Sequence, residues 1–576
     1  LSGAELGELA TLNATALATT GWDRFFSNLR STKCLHSAFK TWPHASSPEL
    51  QQMIHCGAPC VSRAPPWSLA RKDATMRRGS HPSAKHLFAS FLQDEMLDMV
   101  KRKYWTVLPY QAVRHLPGLK ISPAVVVPQR NRRPRTIIDY TYSDVGPTTL
   151  QLAAPHAMQF GRAFQRLMQR IAYANPRFGP VHLLKVDLSD GYYRVPLNSR
   201  GALNLAVAMP STRRLPLVAI PMVLPMGWLE SPPYFCMATE TIADYTNAQH
   251  LAPSTPHFQE SEAAALDAPR FYRTPVPFMP PQLTFPQPLD FVDVYIDDFM
   301  ALAQTKPVAT ALRRRLLYNI NDVFRANSLV SDGSEPVRRE PISEKKLAQG
   351  DAAWKTTATI LGWNIDTIRG TVQLPPHRLE RLHTLLLGFL ATATSTVSDW
   401  HKFLGELRSM VLAVPGGEGL FSALQVELQT NLTAGRRCFP LSAPTLDSLR
   451  QWLLLAQSLV ERPTPIIDLV PGPPHYVGAS DASGLGMGGV WLPTSLAEDP
   501  TPYVWRAQFP ASVSSALVSA DNPLGSINNS LLELVATIAH EATLCSTSTI
   551  HPFTVLSGSD NAAAVSWLHR ASVTTL

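Results

Sequence analysis

The chain has 576 residues, enough for three to five domains of ordinary size, and its 45% hydrophobic content is enough for real cores. Six scattered cysteines argue against a disulfide framework, and no apolar run reaches the roughly 18 residues of a membrane-spanning helix. Charged residues are only 16%, below the roughly 25% of typical globular chains, and the net charge of +7 suits a polyanionic partner without proving one.

Residues 1–84 carry no recognisable motif and read as an extension. Cys34 with His36, and His55-Cys56 with Cys60, bring zinc-ligand types together, but their spacing fits no common finger. The first residue is Leu, which leaves a preceding targeting segment open. Basic residues cluster at Lys101-Arg102-Lys103, between Arg130 and Arg135, at Arg313-Arg314-Arg315, at Arg338-Arg339 and at Lys345-Lys346. Each cluster alone reads as a solvated patch; together they suit a groove that follows phosphates.

Leu183-Leu184-Lys185-Val186-Asp187 is an apolar strand entering the acidic turn Leu188-Ser189-Asp190-Gly191-Tyr192. Within that turn, Asp190 suits a helix cap. Residues 241–290 hold nine prolines between Pro253 and Pro288 and read as a surface insertion. In Phe291–Leu302, Val292, Val294 and Ile296 alternate with Asp293, Tyr295 and Asp297 before an apolar run resumes, which predicts strand, tight turn, strand. The turn carries Asp297 and Asp298, two adjacent carboxylates that are costly between apolar flanks unless a cation neutralises them. A hairpin tip leaves such a pair open to a hard divalent ion such as Mg2+.

Trp400, Phe403, Leu404, Leu407 and Val411 mark an amphipathic helix that Pro415-Gly416-Gly417 ends, and the proline-rich residues 462–474 read as a linker. Further on, Gly478–Trp491 is a glycine-rich hairpin containing Asp481. Asn528–Ala536 predicts a helix with Glu533 on an apolar face, and Val555–Ala563 puts Asp560-Asn561 at a strand end.

Three of these elements, in order, are Asp187, Leu224-Pro225-Met226-Gly227-Trp228-Leu229-Glu230-Ser231-Pro232 and Tyr295-Ile296-Asp297-Asp298. They resemble the palm of the reverse transcriptases of retroviruses and retrotransposons, closer to LTR or DIRS-like elements than to telomerase. Ser122–Pro128 followed by Arg135 and Asp139-Tyr140 resembles that family's fingers hairpin, and Leu361-Gly362-Trp363 its primer-holding hairpin. The resemblance implies an α+β right-hand polymerase of fingers, palm and thumb, followed by an α/β ribonuclease H-like domain. Its parts would be fingers and palm over 85–370, a helical thumb or connection over 371–461, a linker over 462–474 and the last domain over 475–576.

The same resemblance implies roles. Asp187 and Asp297 bind two Mg2+ (or Mn2+) ions, with Asp298 beside them. Arg135 grips the triphosphate, Asp190 lies near it, and Tyr192 sits under the sugar and excludes a 2′-hydroxyl. Gly227 and Trp228 approach template and base, which Gly permits by lacking a side chain. Met226 replaces the retroviral Gln, so no side-chain hydrogen bond to the nucleotide is expected there. Gly362 and Trp363 hold the primer end, and Lys345 or Lys346 protonates the leaving pyrophosphate.

Asp481, Glu533 and Asp560 follow the acidic order of ribonuclease H. The chain stops sixteen residues after Asp560, before that family's fourth acid, so an incomplete site, weak or inactive, is expected.

The implied function is an intracellular RNA-directed DNA polymerase, a nucleotidyltransferase from a retrotransposon polyprotein. It would extend a primer with dNTPs on an RNA or DNA template and handle an RNA–DNA hybrid. A viral RNA-dependent RNA polymerase fits less well, having Gly-Asp-Asp at the hairpin and an acid where Tyr192 stands. A decayed or domesticated copy that only binds nucleic acid or protein is the rival of another class, and the palm carboxylates argue against it.

Overall fold

Strands His182–Asp187, Asp290–Tyr295 and Asp298–Ala303 form an antiparallel sheet with Asp298–Ala303 in the middle. In this computed structural model Phe299 to Ala303 are all fully buried. A strand covered on both faces reads as a continuous apolar run, which is why alternation stops after Asp298. Helices Ala163–Ala172, Ser231–Ala248 and Lys306–Phe324 pack around this sheet. A second sheet orders Trp105–Pro109, Leu217–Pro221, Ala206–Ala208 and Ile121–Ser122, and strands Ala124–Gln129 and Arg132–Ile138 form a separate hairpin.

The structure describes residues 3–29, 44–129, 132–153, 158–210, 215–249, 251–267, 284–324, 340–414, 417–470, 472–497, 499–547 and 554–570. They divide into two compact units, Leu1–Ala358 and Thr359–Leu576, each mixing helices with sheets. Among the described residues no helix is long and apolar enough to cross a membrane.

Three expectations change in the first unit. The N-terminal stretch is no loose extension: helix Gly3–Thr20 buries Leu6, Ala10 and Leu17 in the unit's main core, and the Asn13 amide donates to the Val107 carbonyl at 2.9 Å. Residues 241–248, assigned to a surface insertion, instead complete the buried helix Ser231–Ala248, with Ile242, Ala243 and Thr246 inside. Of that insertion, residues 250 and 268–283 lie outside the described residues. The triple arginine is not a phosphate-tracking patch. Arg313, Arg314 and Arg315 pair with Asp267, Glu260 and Asp290 at 2.6, 2.8 and 2.5 Å, and the Arg313 and Arg315 side chains are only 3% and 2% exposed. Guanidinium groups held that deep need their own carboxylates and have none to spare for a ligand.

In the second unit, helices Pro376–Thr392, Val397–Val411, Gly417–Thr433 and Ala443–Glu461 form a mainly helical part, with strands Thr394–Thr396 and Cys438–Pro440 paired between them. Thr396 caps the second by accepting from the Asp399 amide, and Trp400, Phe403, Leu404, Leu407 and Val411 turn inward at the expected spacing. The linker over 462–474 is corrected in part: Thr464–Pro465 pairs with Thr371–Gln373, and Ile466 is fully buried. Thr464 and Ile466, buried and bonded to this strand and to the Gly370 carbonyl, cannot serve as a free connector.

The last sheet orders Tyr503–Gln508, Gly486–Pro493, Tyr476–Ala482 and Val555–Gly558. Its first two pairings are antiparallel and its last is parallel, reached through helix Asn529–Thr547 as a parallel neighbour requires. The glycines of the hairpin have a packing reason. His540 lies flat on Trp491, ring centroids 3.8 Å apart, and its Nδ1 accepts from the Trp505 indole at 2.7 Å. A Cβ at Gly478 would sit 2.5 Å from His540 Nε2, and one at Gly489 2.6 Å from Nδ1.

Burial lowers the His540 pKa to about 4, so the fold requires the neutral ring. The unfolded chain then binds the extra proton first, and stability present above the ordinary histidine value is lost as pH falls through it. Denaturant unfolding of the second unit should lose about 2 kcal/mol between pH 7 and pH 5, and His540→Phe should flatten that slope. An unchanged slope in the variant would show that the ring titrates normally.

Candidate active site

The antiparallel register sets Asp187 opposite Asp298, and Tyr295 opposite Asp298 on the other side, leaving Ile296-Asp297 as a two-residue turn. Such turns need positive φ, and Ile296 adopts φ 58°, a conformation β-branched residues rarely hold. The Asp297 carbonyl accepts from the Leu188 amide at 3.2 Å, tying the turn to the residue after Asp187. Asp187, Asp297 and Asp298 each bring a carboxylate oxygen within 4.8 Å of the others. The triad can hold a metal ion, and an all-oxygen donor set suits a hard cation such as Mg2+ or Mn2+. Burial, then Asp298, pushes the Asp297 carboxyl above its ordinary value, against the pull of Lys185 and Arg135.

Sequence reading missed two groups of this centre. Lys185 Nζ lies 3.1 Å from Asp298 Oδ1, and Asp351 Oδ2 accepts from the Asp187 amide at 3.3 Å. Lys185 was legible, since two residues before Asp187 on a strand means the same face. Asp351 carried no local signal.

Asp351 arrives on a strap, residues 340–355, that runs beside strand His182–Asp187. Ser189 donates to the Pro341 carbonyl, Ala352 to that of Lys185, and Leu183 to that of Lys355, at 2.8, 2.7 and 2.7 Å. The strap's short helix Glu344–Leu347 brings Lys346 into an ion pair with Asp187 Oδ2, whereas Lys345 faces solvent. Arg194, 4% exposed, clamps the strap's start: its guanidinium donates to the carbonyls of Ser189, Phe324 and Glu340 at 2.6, 3.2 and 2.9 Å.

Beside the triad opens a cavity of about 660 Å3, lined by Arg135, Asp190, Tyr192, Met226, Gly227 and Asp297 among others. The structure thus brings together five residues nominated separately from the sequence and joins them to one carboxylate of the triad. Three arginines face this space. Arg133 pairs with Glu95 at 3.0 Å and Arg102 with Asp98 at 2.7 Å, while Arg135 has no carboxylate within salt-bridge distance among the described residues. Arg130 and the Arg132 side chain lie outside the description.

Asp190 is no helix cap. Its backbone is left-handed, its side chain makes no cap bond, and its Oδ2 accepts from the Tyr104 hydroxyl at 2.9 Å. Tyr192 is half-buried, its ring set edge-on to Phe235 at 5.3 Å.

Two nominated tryptophans are corrected. Trp228 is 2% exposed, with its indole donating to Thr149, and Trp363 is 1% exposed. Rings so buried act through packing and present no face to a nucleic acid. Gly362, in the second unit, has φ 80° and receives Arg378, whose Nη1 donates to its carbonyl at 2.9 Å.

A second acidic group gathers in the second unit. Asp481, Glu533 and Asp560 also bring oxygens within 4.8 Å of one another. Glu533 is 2% exposed, and burial raises its carboxyl, with Asp481 and Asp560 adding to the shift. Asn561 fixes the third acid's turn: its Oδ1 accepts from the Ala563 and Ala564 amides, and its Nδ2 donates to Ser530 at 3.2 Å. Among the described residues only these two groups collect three metal-ligating side chains. His55, Cys56 and Cys60 form none, and burial pushes the Cys60 thiol up to about 12; Cys34 and His36 lie outside the described residues.

No family model and no curated protein matches the chain. Solved structures similar to it include a foamy viral protease-reverse transcriptase in complex with double-stranded DNA, at 13% identity and TM-score 0.42, covering 94% of this chain and 76% of that one. The same kind of protein in complex with an RNA/DNA hybrid matches at 12% identity and TM-score 0.43, covering 96% and 60%. Another double-stranded DNA complex matches at 14% and 0.42, covering 96% and 91%. Superpositions this loose decide nothing about the site, which stands on its own geometry.

Gly227 links that geometry to the hairpin Ala124–Ile138. It has φ 98°, and a Cβ there would meet the Ile138 carbonyl at 2.5 Å. Gly227→Ala should cost about 3 kcal/mol in denaturant unfolding, from backbone strain plus the clash. A variant as stable as the parent would show that the hairpin retreats freely.

Proposed function

We propose that the chain is an RNA-directed DNA polymerase of the retrotransposon type, with fingers, palm and thumb followed by a ribonuclease H-like domain. One observation carries this reading: the triad Asp187, Asp297 and Asp298 borders a cavity that also holds the ring of Tyr192 and the guanidinium of Arg135, which has no carboxylate partner among the described residues. Asp187 and Asp297 are the main ligands for Mg2+, with Asp298 beside them, and bound ions would stabilise the attacking and leaving oxygens of phosphoryl transfer.

The chain's own groups account for the remaining steps. Arg135 donates in fork geometry to the phosphates of a dNTP. Tyr192, braced by Phe235, occupies the space under the sugar and excludes a 2′-hydroxyl. Lys346 Nζ holds a proton next to Asp187 and is the donor to the departing pyrophosphate. Trp228 supports the nucleotide wall by packing, and Gly362 belongs to the hairpin that holds the primer. Asp481, Glu533 and Asp560 hold divalent cations for hydrolysis of the RNA strand of a hybrid.

Primer extension on poly(rA)/oligo(dT) with Mg2+ and dTTP tests the polymerase reading. Extension is expected in the parent and a drop of about 1,000-fold in Asp297→Asn, with folding intact. Equal activity in that variant would remove the triad from the chemistry. For the second triad, slow Mg2+-dependent cleavage of hybrid RNA that disappears in Glu533→Gln, while extension persists, is the expected result. Cleavage unaffected by Glu533→Gln would assign hydrolysis elsewhere.

A further inference from the structure

Asp190 and Gly191 have φ 64° and 37°, so two successive left-handed residues form the turn that launches Tyr192 and Tyr193. A carboxylate at such a position ordinarily bonds to the amides of the next turn, and this one does not. It accepts from Tyr104 instead, at 2.9 Å.

Tyr104 is 3% exposed and anchored through its backbone, its amide donating to the Met99 carbonyl at 2.9 Å and its carbonyl accepting from Met222 at 2.8 Å. Its ring stacks on Tyr193, with centroids 5.1 Å apart and planes 24° from parallel. One fixed side chain therefore holds the turn at two points, just before Tyr192 through the hydroxyl and just after it through the ring. Tyr192 lies between the two holds, and all four residues line the same cavity.

We infer that Tyr104 is a positioning residue for sugar selection: through Asp190 and Tyr193 it sets where the Tyr192 ring stands, and so how strongly ribonucleotides are refused. The inference rests on the polymerase reading above. A hydroxyl bonded to a carboxylate is a charge-assisted contact, stronger than a neutral one. Removing it leaves Tyr104 holding the turn through the ring contact with Tyr193 and no longer at Asp190.

The test is primer extension with matched dNTP and rNTP, comparing the ratio of their kcat/KM values. Tyr104→Phe keeps the ring and its stacking and deletes only the hydroxyl. It should cut discrimination about tenfold, mainly by lowering KM for the ribonucleotide. Asp190→Ala should lower the ratio at least as far, and adding Tyr104→Phe to it should lower the ratio no further, since the bond between the two is already gone. Asp190→Asn, which keeps an oxygen for the hydroxyl, should retain most of the discrimination. A general loss of structure would depress both substrates alike and leave the ratio in place.

Tyr192→Ala supplies the reference for a lost gate. If it collapses discrimination while Tyr104→Phe leaves the ratio unchanged, the inference is overturned and the polymerase reading stands. If the parent chain extends no primer, that reading and this inference fall together.

Discussion

The pairing of strand His182–Asp187 with strand Asp298–Ala303 is the constraint on which the site depends. A slip of one residue would send Asp187 to the opposite face of the sheet from its partners. Both strands are buried on both faces, so burial alone does not choose the register; the Leu188 amide on the Asp297 carbonyl and the strap's bonds to Leu183 and Lys185 pin it. The acidic centre is thus positioned by backbone bonds that never touch a ligand. Ile296 completes the arrangement, holding a left-handed backbone that only a well-packed surround can impose.

Electrostatics explain why this arrangement asks for a cation. Asp187, Asp297, Asp298 and Asp351 converge, while among the described residues only Lys185 and Lys346 form ion pairs with the triad. The excess of negative charge is the reverse of the situation on helix Lys306–Phe324, where each of three successive arginines has its own acid. The first imbalance leaves work for an exogenous ion; the second is closed. Counting partners, rather than counting charges, separates a site from a strut.

That distinction also measures what was legible in the sequence. The hairpin around Asp297 could be read because alternation and its interruption are local signals, and helix Val397–Val411 because its apolar residues recur at helical spacing. The gathering of Asp481, Glu533 and Asp560 was legible only through the resemblance to ribonuclease H, since nothing local to the three segments says that they meet. The arginine triplet misled because its acids lie elsewhere in the chain, at positions 260, 267 and 290. Residues 462–474 misled because proline content hides a strand of two residues. The N-terminal helix was readable and overlooked: Leu6, Ala10, Asn13 and Leu17 keep one face. Asp351 and Tyr104 reach their sites only through tertiary pairing, which no local window contains.

Arg194 has a wider consequence. Its single guanidinium grips the carbonyls of Phe324 and Glu340, the two anchor points on either side of residues 325–339, together with the carbonyl of Ser189 in the acidic turn. Both ends of that interval are fastened to the same buried post. The end of helix Lys306–Phe324, the start of the strap and the acidic turn therefore share one anchor, so a change at Arg194 would reach all three at once.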